Sequence, residues 1–310
     1  MKQIDGIVLK STGSWYKVKS KDNKIFDCQI RGKIRTQAIK STNPVSVGDF
    51  VLFIIMEDGT GLIQDIKPRK NYIVRQSTNL SKKKQVLASN IDQAIIVVSL
   101  RDPETPTEFI DRFLLSTEVY EIPAKIIFNK IDIYNKLDLE KLDELINTYE
   151  RIGYNCFKIS AKEEQNISEI IELLKDKTSV LAGNSGVGKS TLINKVSPNL
   201  FLKTEEISEK YRTGKHTTTF TEMHELIFGG YIIDTPGIRA FGIDFIEKDL
   251  IAHNFPEMFN LLGKCKYYNC KHIDEPGCEV KKAIERGEIS YSRYRSYLSM
   301  MLEEKNKYRQ

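Results

Sequence analysis

The sequence predicts a chain of three parts, which are an N-terminal β-barrel of the OB-fold type, a central doubly wound α/β domain and a mostly helical C-terminal domain. Three observations predict them. Residues 1–70 hold five short strand-like runs separated by turn residues, apolar strand-like runs alternate with helix-like stretches from about residue 90, and helical patterns dominate after about residue 243. We therefore expect domains at residues 1–70, 71–242 and 243–310.

The composition is that of an ordinary globular protein. Hydrophobic residues make up 40% and charged residues 29% of the 310 residues. No run approaches the roughly 18 apolar residues of a membrane span, and the start of the sequence lacks the apolar core of a signal peptide. We expect a cytoplasmic, monomeric protein with no membrane contact.

The first part shows the alternation of short strands. Its five predicted strands are Gly6–Lys10, Trp15–Ser20, Lys24–Ile30, Asp49–Ile55 and Gly61–Ile66. Five strands in about 70 residues favour a small barrel, and the OB-fold is the natural candidate for a basic one, although an SH3-type barrel fits the same periodicity. Lys67–Lys70 is interpreted as an exit linker and Lys82–Lys84 as a basic loop that joins the first two domains.

Positive charge is concentrated at the two ends of the chain. Residues 1–70 carry 13 Lys and Arg against 7 Asp and Glu, and residues 264–310 carry 11 against 7. The net charge of the whole chain is +5, so the middle is acidic. Basic ends indicate contact with a polyanion, and solvated surface charge would give the same pattern.

The central part reads as parallel strands alternating with helices. The predicted strands are Ala94–Leu100, Lys125–Asn129, Cys156–Ser160, Val180–Gly183 and Tyr231–Asp234, and the predicted helices include Glu108–Tyr120, Leu139–Gly153 and Ile167–Lys175. Ligands of such domains bind at the carboxyl ends of the strands. The motifs described next all lie at such strand ends or in loops.

A phosphate-binding loop of the form G-x-x-x-x-G-K-[ST] follows one of these strands. Its residues are Gly183, Asn184, Ser185, Gly186, Val187, Gly188, Lys189 and Ser190, and Thr191 follows in the predicted helix Lys189–Val196. Glycines let backbone N–H groups surround phosphates at a helix N-terminus. We expect Lys189 to neutralise phosphate oxygens and Ser190 to bind Mg²⁺. This motif alone is compatible with any P-loop NTPase.

Two further motifs indicate that the base is guanine. They are the N-K-x-D of Asn129, Lys130, Ile131 and Asp132, and the S-A-K of Ser160, Ala161 and Lys162. The Asp132 carboxylate can accept two hydrogen bonds from the guanine edge, a pattern that adenine lacks. We expect Asn129 to donate to the guanine, the Lys130 stem to cover the ring and the Ala161 N–H to bind O6.

Two segments after the phosphate loop have the features of nucleotide-sensing switches. Asp234 is predicted to reach Mg²⁺ through water, and Gly237 of the same D-x-x-G to contact the γ-phosphate. Thr217 or Thr218 is the predicted Mg²⁺ ligand of the other switch, with Thr218 favoured. Ile238 stands where many GTPases carry a glutamine that orients water, so His216 is the candidate for that role.

The order of the motifs is base, base, phosphate, switch, switch. An ordinary GTPase begins with the phosphate loop, so the sequence predicts a circularly permuted α/β P-loop GTPase domain that binds GTP or GDP with Mg²⁺. Gly237 lies 28 residues before Cys265. We therefore expect movement at residues 234–242 to act directly on the C-terminal domain.

A cysteine and histidine cluster marks the C-terminal domain. Its members are Cys265, Cys270, His272 and Cys278. Three thiolates and an imidazole suit tetrahedral Zn²⁺ and leave no position for water, so we expect one structural Zn²⁺ per chain. Unrelated surface thiols and redox sensing are the alternatives.

The permuted motifs and the zinc segment together resemble the ribosome small-subunit-dependent GTPase A family (RsgA, also called YjeQ or YloQ) over nearly the whole chain. The resemblance implies an OB-fold domain, a GTPase stimulated by the small (30S) ribosomal subunit, a role in late maturation of that subunit, and contact of the barrel with 16S rRNA near the decoding region. The family's switch histidine is proposed as catalytic and matches His216, while Lys215 replaces the family's arginine before it.

Three functions are compatible with these motifs and with the family resemblance. The first is a GTPase that binds the small subunit, checks it and leaves. The second is an RNA-binding assembly module in which GTP is mainly a conformational ligand. The third is a GTPase that resembles translation factors and acts on assembled ribosomes. Intact Lys189, Ser190 and Asp234 favour the first over the second, and the permuted order disfavours the third.

Overall fold

The fold was analysed in a computed structural model of the chain. The structure describes residues 2–30, 32, 44–76, 84–200, 221–234 and 246–303. The predicted switch residues Thr217, Thr218, His216 and Gly237 lie outside these ranges, as do Lys82 and Lys83.

The first 66 residues contain a closed five-stranded barrel. Its strands are β1 (Ile4–Ser11), β2 (Tyr16–Ser20), β3 (Ile25–Ile30), β4 (Phe50–Ile55) and β5 (Gly61–Ile66). Strand β1 pairs antiparallel with both β2 and β4, and a parallel pairing of β3 with β5 completes the circle. Inward-facing side chains such as Val18, Cys28 and Phe53 fill the interior. The barrel is of the five-stranded Greek-key type that defines the OB-fold, as predicted.

A hairpin that the sequence did not predict follows the barrel. Its strands are β6 (Tyr72–Gln76) and β7 (Lys84–Ser89), so the interpretation of Lys84 as part of a loop is wrong. The hairpin is fastened to the barrel by Asp49, whose buried carboxylate accepts hydrogen bonds from Arg69 at 2.6 and 2.7 Å and from Ser89 at 2.6 Å. Arg69 in the expected exit linker is therefore part of a fixed connection.

The central domain is a doubly wound sheet. Its strands are β8 (Gln93–Val98), β9 (Ala124–Phe128), β10 (Asn155–Lys158), β11 (Thr178–Ala182), β12 (Glu222–Glu225) and β13 (Tyr231–Asp234). They lie in the order β10-β9-β8-β11-β13-β12, and all neighbours are parallel except β12. The short β12 was not predicted. It also pairs with β1, so one sheet runs from this domain into the barrel.

Helices cover both faces of this sheet. They are α1 (Thr107–Val119), α2 (Lys136–Ile152), α3 (Ile167–Leu174) and α4 (Lys189–Val196). Strand residues alternate between two apolar cores, so that Ile96 and Phe128 pack on one face and Ile95 and Ile127 on the other. Burial on both faces explains why these strands read as continuous apolar runs.

The C-terminal domain contains short helices and packs on α1. The helices are α5 (Lys248–Ile251), α6 (Pro256–Phe259), α7 (Glu279–Glu285) and α8 (Tyr291–Leu302). Leu115 of α1 belongs to the same core as Phe255, Val280 and Tyr297, so the domain is not separated from the sheet by solvent. None of the helices in the described ranges is long and apolar enough to cross a membrane.

Candidate functional site

The carboxyl ends of the parallel strands bring the sequence motifs together. Asn129 follows β9, Ser160 follows β10 and Gly183 follows β11, while Asp234 is the last residue of β13. Strand β11 lies between β8 and β13, which places the phosphate loop at the centre of this edge. The geometry is the one expected for a ligand site of a doubly wound sheet.

Asn129 joins the two base-reading motifs to the phosphate loop. Its side-chain amide donates to the carbonyl of Val187 at 2.8 Å, and its Oδ1 accepts from the N–H of Ala161 at 2.9 Å. The residue is buried, and its own N–H donates to the carbonyl of Val98. A buried amide with all of these partners fixes three loops relative to one another.

Two glycines of the phosphate loop are required by close contacts as well as by backbone conformation. A Cβ at Gly188, which has φ 97°, would lie 2.3 Å from Asn129 Nδ2. A Cβ at Gly183, which has φ 144°, would lie 2.3 Å from the carbonyl oxygen of Val97. These positions accept glycine because a larger residue would displace β8 or the base-reading loop.

Asp132 is oriented by Ser160 of the second base-reading motif. The Ser160 hydroxyl donates to Asp132 Oδ1 at 2.5 Å and accepts from the N–H of Glu163 at 3.0 Å. Asp132 lies in a short 3₁₀ helix, Ile131–Ile133, whose first N–H donates to the carbonyl of Ile159. The motif therefore presents its carboxylate in a fixed plane, which reading a guanine edge requires.

The Ala161 N–H has a partner that the sequence did not suggest. It donates to Asn129 Oδ1, whereas the expected acceptor was O6 of guanine. Binding of O6 would require this N–H to share or exchange its partner. The neighbouring Lys162 is exposed and pairs with Glu163 at 3.2 Å. It takes no part in the hydrogen bonds that join the loops of the site.

The loop after β8 is a part of the site that sequence reasoning missed. The Lys130 ammonium donates to the carbonyl of Asp102, and a Cβ at Gly186 would contact Pro103 at 3.3 Å. Lys130 itself has a left-handed backbone with φ 68°. This loop follows an apolar strand at the ligand-binding edge of the sheet, and that position was the available signal.

The phosphate loop has the expected strand-loop-helix form. The Lys189 ammonium lies over the loop and donates to the carbonyls of Gly183 at 2.6 Å and Asn184 at 2.8 Å. Ser190 and Thr191 follow in the first turn of α4, and Ser185 is exposed at the tip of the loop. The helix N-terminus therefore points at the space above the loop, where its dipole favours an anion.

The predicted metal ligands of the C-terminal domain converge. One ligand atom from each of Cys265, Cys270, His272 and Cys278 lies within 4.8 Å of all the others. The three sulfur atoms lie 3.6, 3.5 and 3.4 Å from His272 Nδ1 in that order. These spacings match the edges of a tetrahedral site with sulfur and nitrogen ligands, so the residues fit Zn²⁺.

The surroundings of the cluster support a structural metal. Burial raises the pKa of the Cys270 thiol to about 12 and lowers the pKa of His272. Burial therefore favours neutral thiols, which a divalent cation would convert to thiolates. Tyr294 donates to the His272 carbonyl at 2.7 Å and Tyr297 to the Lys271 carbonyl at 2.6 Å. In the described ranges His272 Nε2 is buried without a hydrogen-bond partner.

The fold and these sites together define a class. A P-loop, two guanine-reading motifs and the end of a D-x-x-G strand are arranged on one sheet edge in permuted chain order, between an OB-fold barrel and a module with a zinc-type cluster. The chain is a circularly permuted P-loop GTPase.

Comparison with known proteins places this class in a family. The family model for the RsgA GTPase matches residues 66–244, and the model for the RsgA N-terminal domain matches residues 5–63. The chain belongs to the RsgA GTPase family.

Several relatives match the chain over nearly its whole length. "Small ribosomal subunit biogenesis GTPase RsgA" of Bacteroides fragilis is 52% identical over 99% of both chains, and its namesake in Christiangramia forsetii is 49% identical over 99% and 98%. The crystal structure of YjeQ from Thermotoga maritima has 36% identity and a TM-score of 0.80 over 97% and 98% of the two chains. The structure of YloQ, a circularly permuted GTPase, has 30% identity and a TM-score of 0.76 over 97% and 94%.

Proposed function

We propose that this GTPase binds the small (30S) ribosomal subunit through its 16S rRNA, is stimulated by it to hydrolyse GTP to GDP and phosphate, and acts late in maturation of that subunit. The observation that carries the GTPase part of the proposal is the buried Asn129, because it joins guanine-reading and phosphate-binding loops into one nucleotide site. The relatives named for small-subunit biogenesis support the identity of the partner.

The barrel is the proposed RNA-binding part. Its sequence is basic, and OB-folds bind oligonucleotides on a sheet face and adjoining loops. Trp15, which precedes β2, and Phe50 at the start of β4 are exposed aromatic side chains of the kind that stack on bases. Exposed lysines on the same barrel would supply contacts to phosphates, which make the affinity fall as salt rises.

The residues of the nucleotide site have distinct roles in binding and hydrolysis. Asp132, oriented by Ser160, binds the guanine edge, and the phosphate-loop N–H groups with Lys189 neutralise phosphate oxygens. His216 positions the attacking water, because Ile238 has no group that can do so. In this proposal the subunit places His216 for the reaction, so turnover is fast only in the complex.

Two metals complete the proposal. Ser190, Thr218 and, through water, Asp234 would hold Mg²⁺, which lowers the charge repulsion at the phosphates when it is bound. The four clustered ligands would hold one Zn²⁺ per chain, with no ligand position left for chemistry. We keep as predictions a cytoplasmic location, a monomeric state and domain boundaries near residues 70 and 242.

The second candidate is an RNA-binding assembly module in which GTP mainly selects a conformation. Asp49 fixes the barrel to the hairpin through contacts that lie outside the nucleotide site. This favours the second candidate, because the barrel could bind RNA without GTP hydrolysis. It predicts subunit binding that depends on GTP, with turnover that subunits do not change.

Sedimentation with isolated subunits tests the partner. The protein should pellet with small subunits in the presence of a non-hydrolysable GTP analogue, and less with GDP, because the switches of GTPases generally differ in conformation between the two nucleotide states. Large subunits at the same concentration are the control. Equal pelleting with both subunits, or none with either, would contradict the proposed partner.

A further inference from the structure

The barrel holds strand β12 at both of its ends. Lys10 of β1 donates to Glu222 at 2.7 Å, and Lys19 of β2 donates to Glu225 at 2.5 Å. Glu222 and Glu225 are the first and last residues of β12. Two barrel cations are thus paired with one short strand of the GTPase domain.

Lys19 is the more buried of the two cations. Its side chain is 8% exposed, and its ammonium lies 5.9 Å from the centre of the Tyr231 ring. Tyr231 begins β13 and is the ladder partner of Glu225. A cation so far removed from water depends on its partners, because an uncompensated buried charge is costly. Lys19 therefore holds β12 and the start of β13 against the barrel.

Lys10 is connected across the sheet to Asp234 of the predicted switch. Lys10 is the ladder partner of Glu222, and Glu222 is in turn the ladder partner of Asp234. Adjacent strands lie about 4.8 Å apart, so roughly 10 Å of continuous sheet separates the backbone of Lys10 from that of Asp234. A shift of β1 would therefore reach, through β12, the strand that ends at Asp234.

We propose that Lys10 and Lys19 are positioning residues for GTP hydrolysis, which fix β12 and β13, and with them Asp234, in the geometry that the stimulated reaction requires. The inference rests on the proposed function. Binding of the subunit to the barrel shifts β1 and β2, and the two ion pairs pass this shift on to β12. Neither lysine belongs to a nucleotide-binding motif, so their effect on hydrolysis is indirect.

Removing one charge of the Lys19–Glu225 pair tests this role. Lys19→Met keeps an unbranched stem but no charge, and Glu225→Gln keeps the shape of a half-exposed side chain but removes its charge. Both should lower kcat at saturating small subunits by about three- to thirtyfold, the range in which changes along a coupling route act. Affinity for GTP and for subunits should be unchanged. The exchange Lys19→Glu with Glu225→Lys should recover part of the loss.

A matched control separates positioning from general loss of charge. Lys195→Met removes a lysine that pairs with Glu164, also at 2.5 Å, within the GTPase domain, and it should leave stimulated turnover unchanged. Unaltered stimulation in Lys19→Met and Glu225→Gln would overturn the inference. So would a loss of GTP affinity as large as the loss of kcat, or an exchanged pair no better than the single variants. Absence of stimulation in the wild-type protein would instead overturn the proposed function, and this inference with it.

Discussion

Arg293 of α8 donates from Nη1 to Asp111 Oδ1 of α1 at 2.7 Å, and both side chains are almost fully buried. The same guanidinium donates to Glu257 at 2.7 and 3.2 Å and lies 4.4 Å from the centre of the Phe255 ring. Tyr149 of α2 also donates to Asp111, at 3.0 Å. One buried cation thus ties the C-terminal domain to two helices of the GTPase domain.

Loss of this cation should be strongly destabilising. Arg293→Met would leave Asp111 and Glu257 without their counterion, which costs about 3–5 kcal/mol for a buried pair broken on one side. The free energy of unfolding from denaturant titration measures it. Arg286→Met is the control, because the pairs of Arg286 with Glu279 and Glu288 lie at the surface, where ion pairs contribute little to stability. Equal losses of unfolding free energy in the two variants would show that the buried ion pair does not stabilise the contact between the two domains.

The fold was predictable wherever burial left a pattern in the sequence. The barrel strands alternate, and strands such as β8 are apolar throughout because both of their faces are covered. Strand β12 was missed because Met223 is its one buried residue and its terminal glutamates pair with barrel lysines. The hairpin was missed because residues 77–83, polar except for Leu80, separate its strands and give no two-residue turn signal.

The motifs of the site could be predicted from the sequence, but the hydrogen bonds and ion pairs that hold them in place could not. Each motif is a local pattern with a chemical reason, so its residues could be named from the sequence. The Asn129–Val187 hydrogen bond joins residues 58 positions apart, and the Asp111–Arg293 pair joins residues 182 positions apart. No local pattern marks such contacts, because the fold alone brings the partners together.

Guanine specificity should depend on Asp132. Asp132→Asn places an amide donor where the carboxylate accepted two hydrogen bonds, so GTP affinity should fall about 10- to 100-fold, or roughly 1.5–3 kcal/mol, and xanthosine triphosphate should bind better than before. Calorimetric titration with both nucleotides measures this. Asp143→Asn, an exposed aspartate paired with Lys158, is the control. Unchanged GTP affinity in Asp132→Asn would remove this carboxylate from the base site.

Zinc should stabilise the C-terminal domain without taking part in hydrolysis. Cys270→Ser should lose the metal by elemental analysis and lower the thermal midpoint, while turnover without subunits changes little, because the four ligands leave no open position. Cys156→Ser changes a thiol outside the cluster and should retain the metal. Wild-type protein purified without zinc would contradict the assignment.

His216 should be needed for the chemical step and not for binding. His216→Ala should keep GTP and subunit affinity but lose most of the stimulated turnover, since general acid–base and water-positioning groups contribute typically about 10²–10⁴-fold. The variant should therefore stay on the subunit in its GTP state. His253→Ala, an exposed histidine of the C-terminal domain, is the control. Wild-type turnover by His216→Ala on subunits would make His216 an ordinary loop residue.

The rate of GTP hydrolysis with and without isolated small subunits tests the central claim most directly. The free protein should turn over far below the roughly 1–100 s⁻¹ of kinases, because Ile238 cannot orient water and His216 is proposed to act only when the subunit is bound. Small subunits should raise kcat strongly, large subunits should not, and the stimulation at limiting subunit concentration should fall as salt rises. Turnover that small subunits leave unchanged would contradict a subunit-stimulated GTPase.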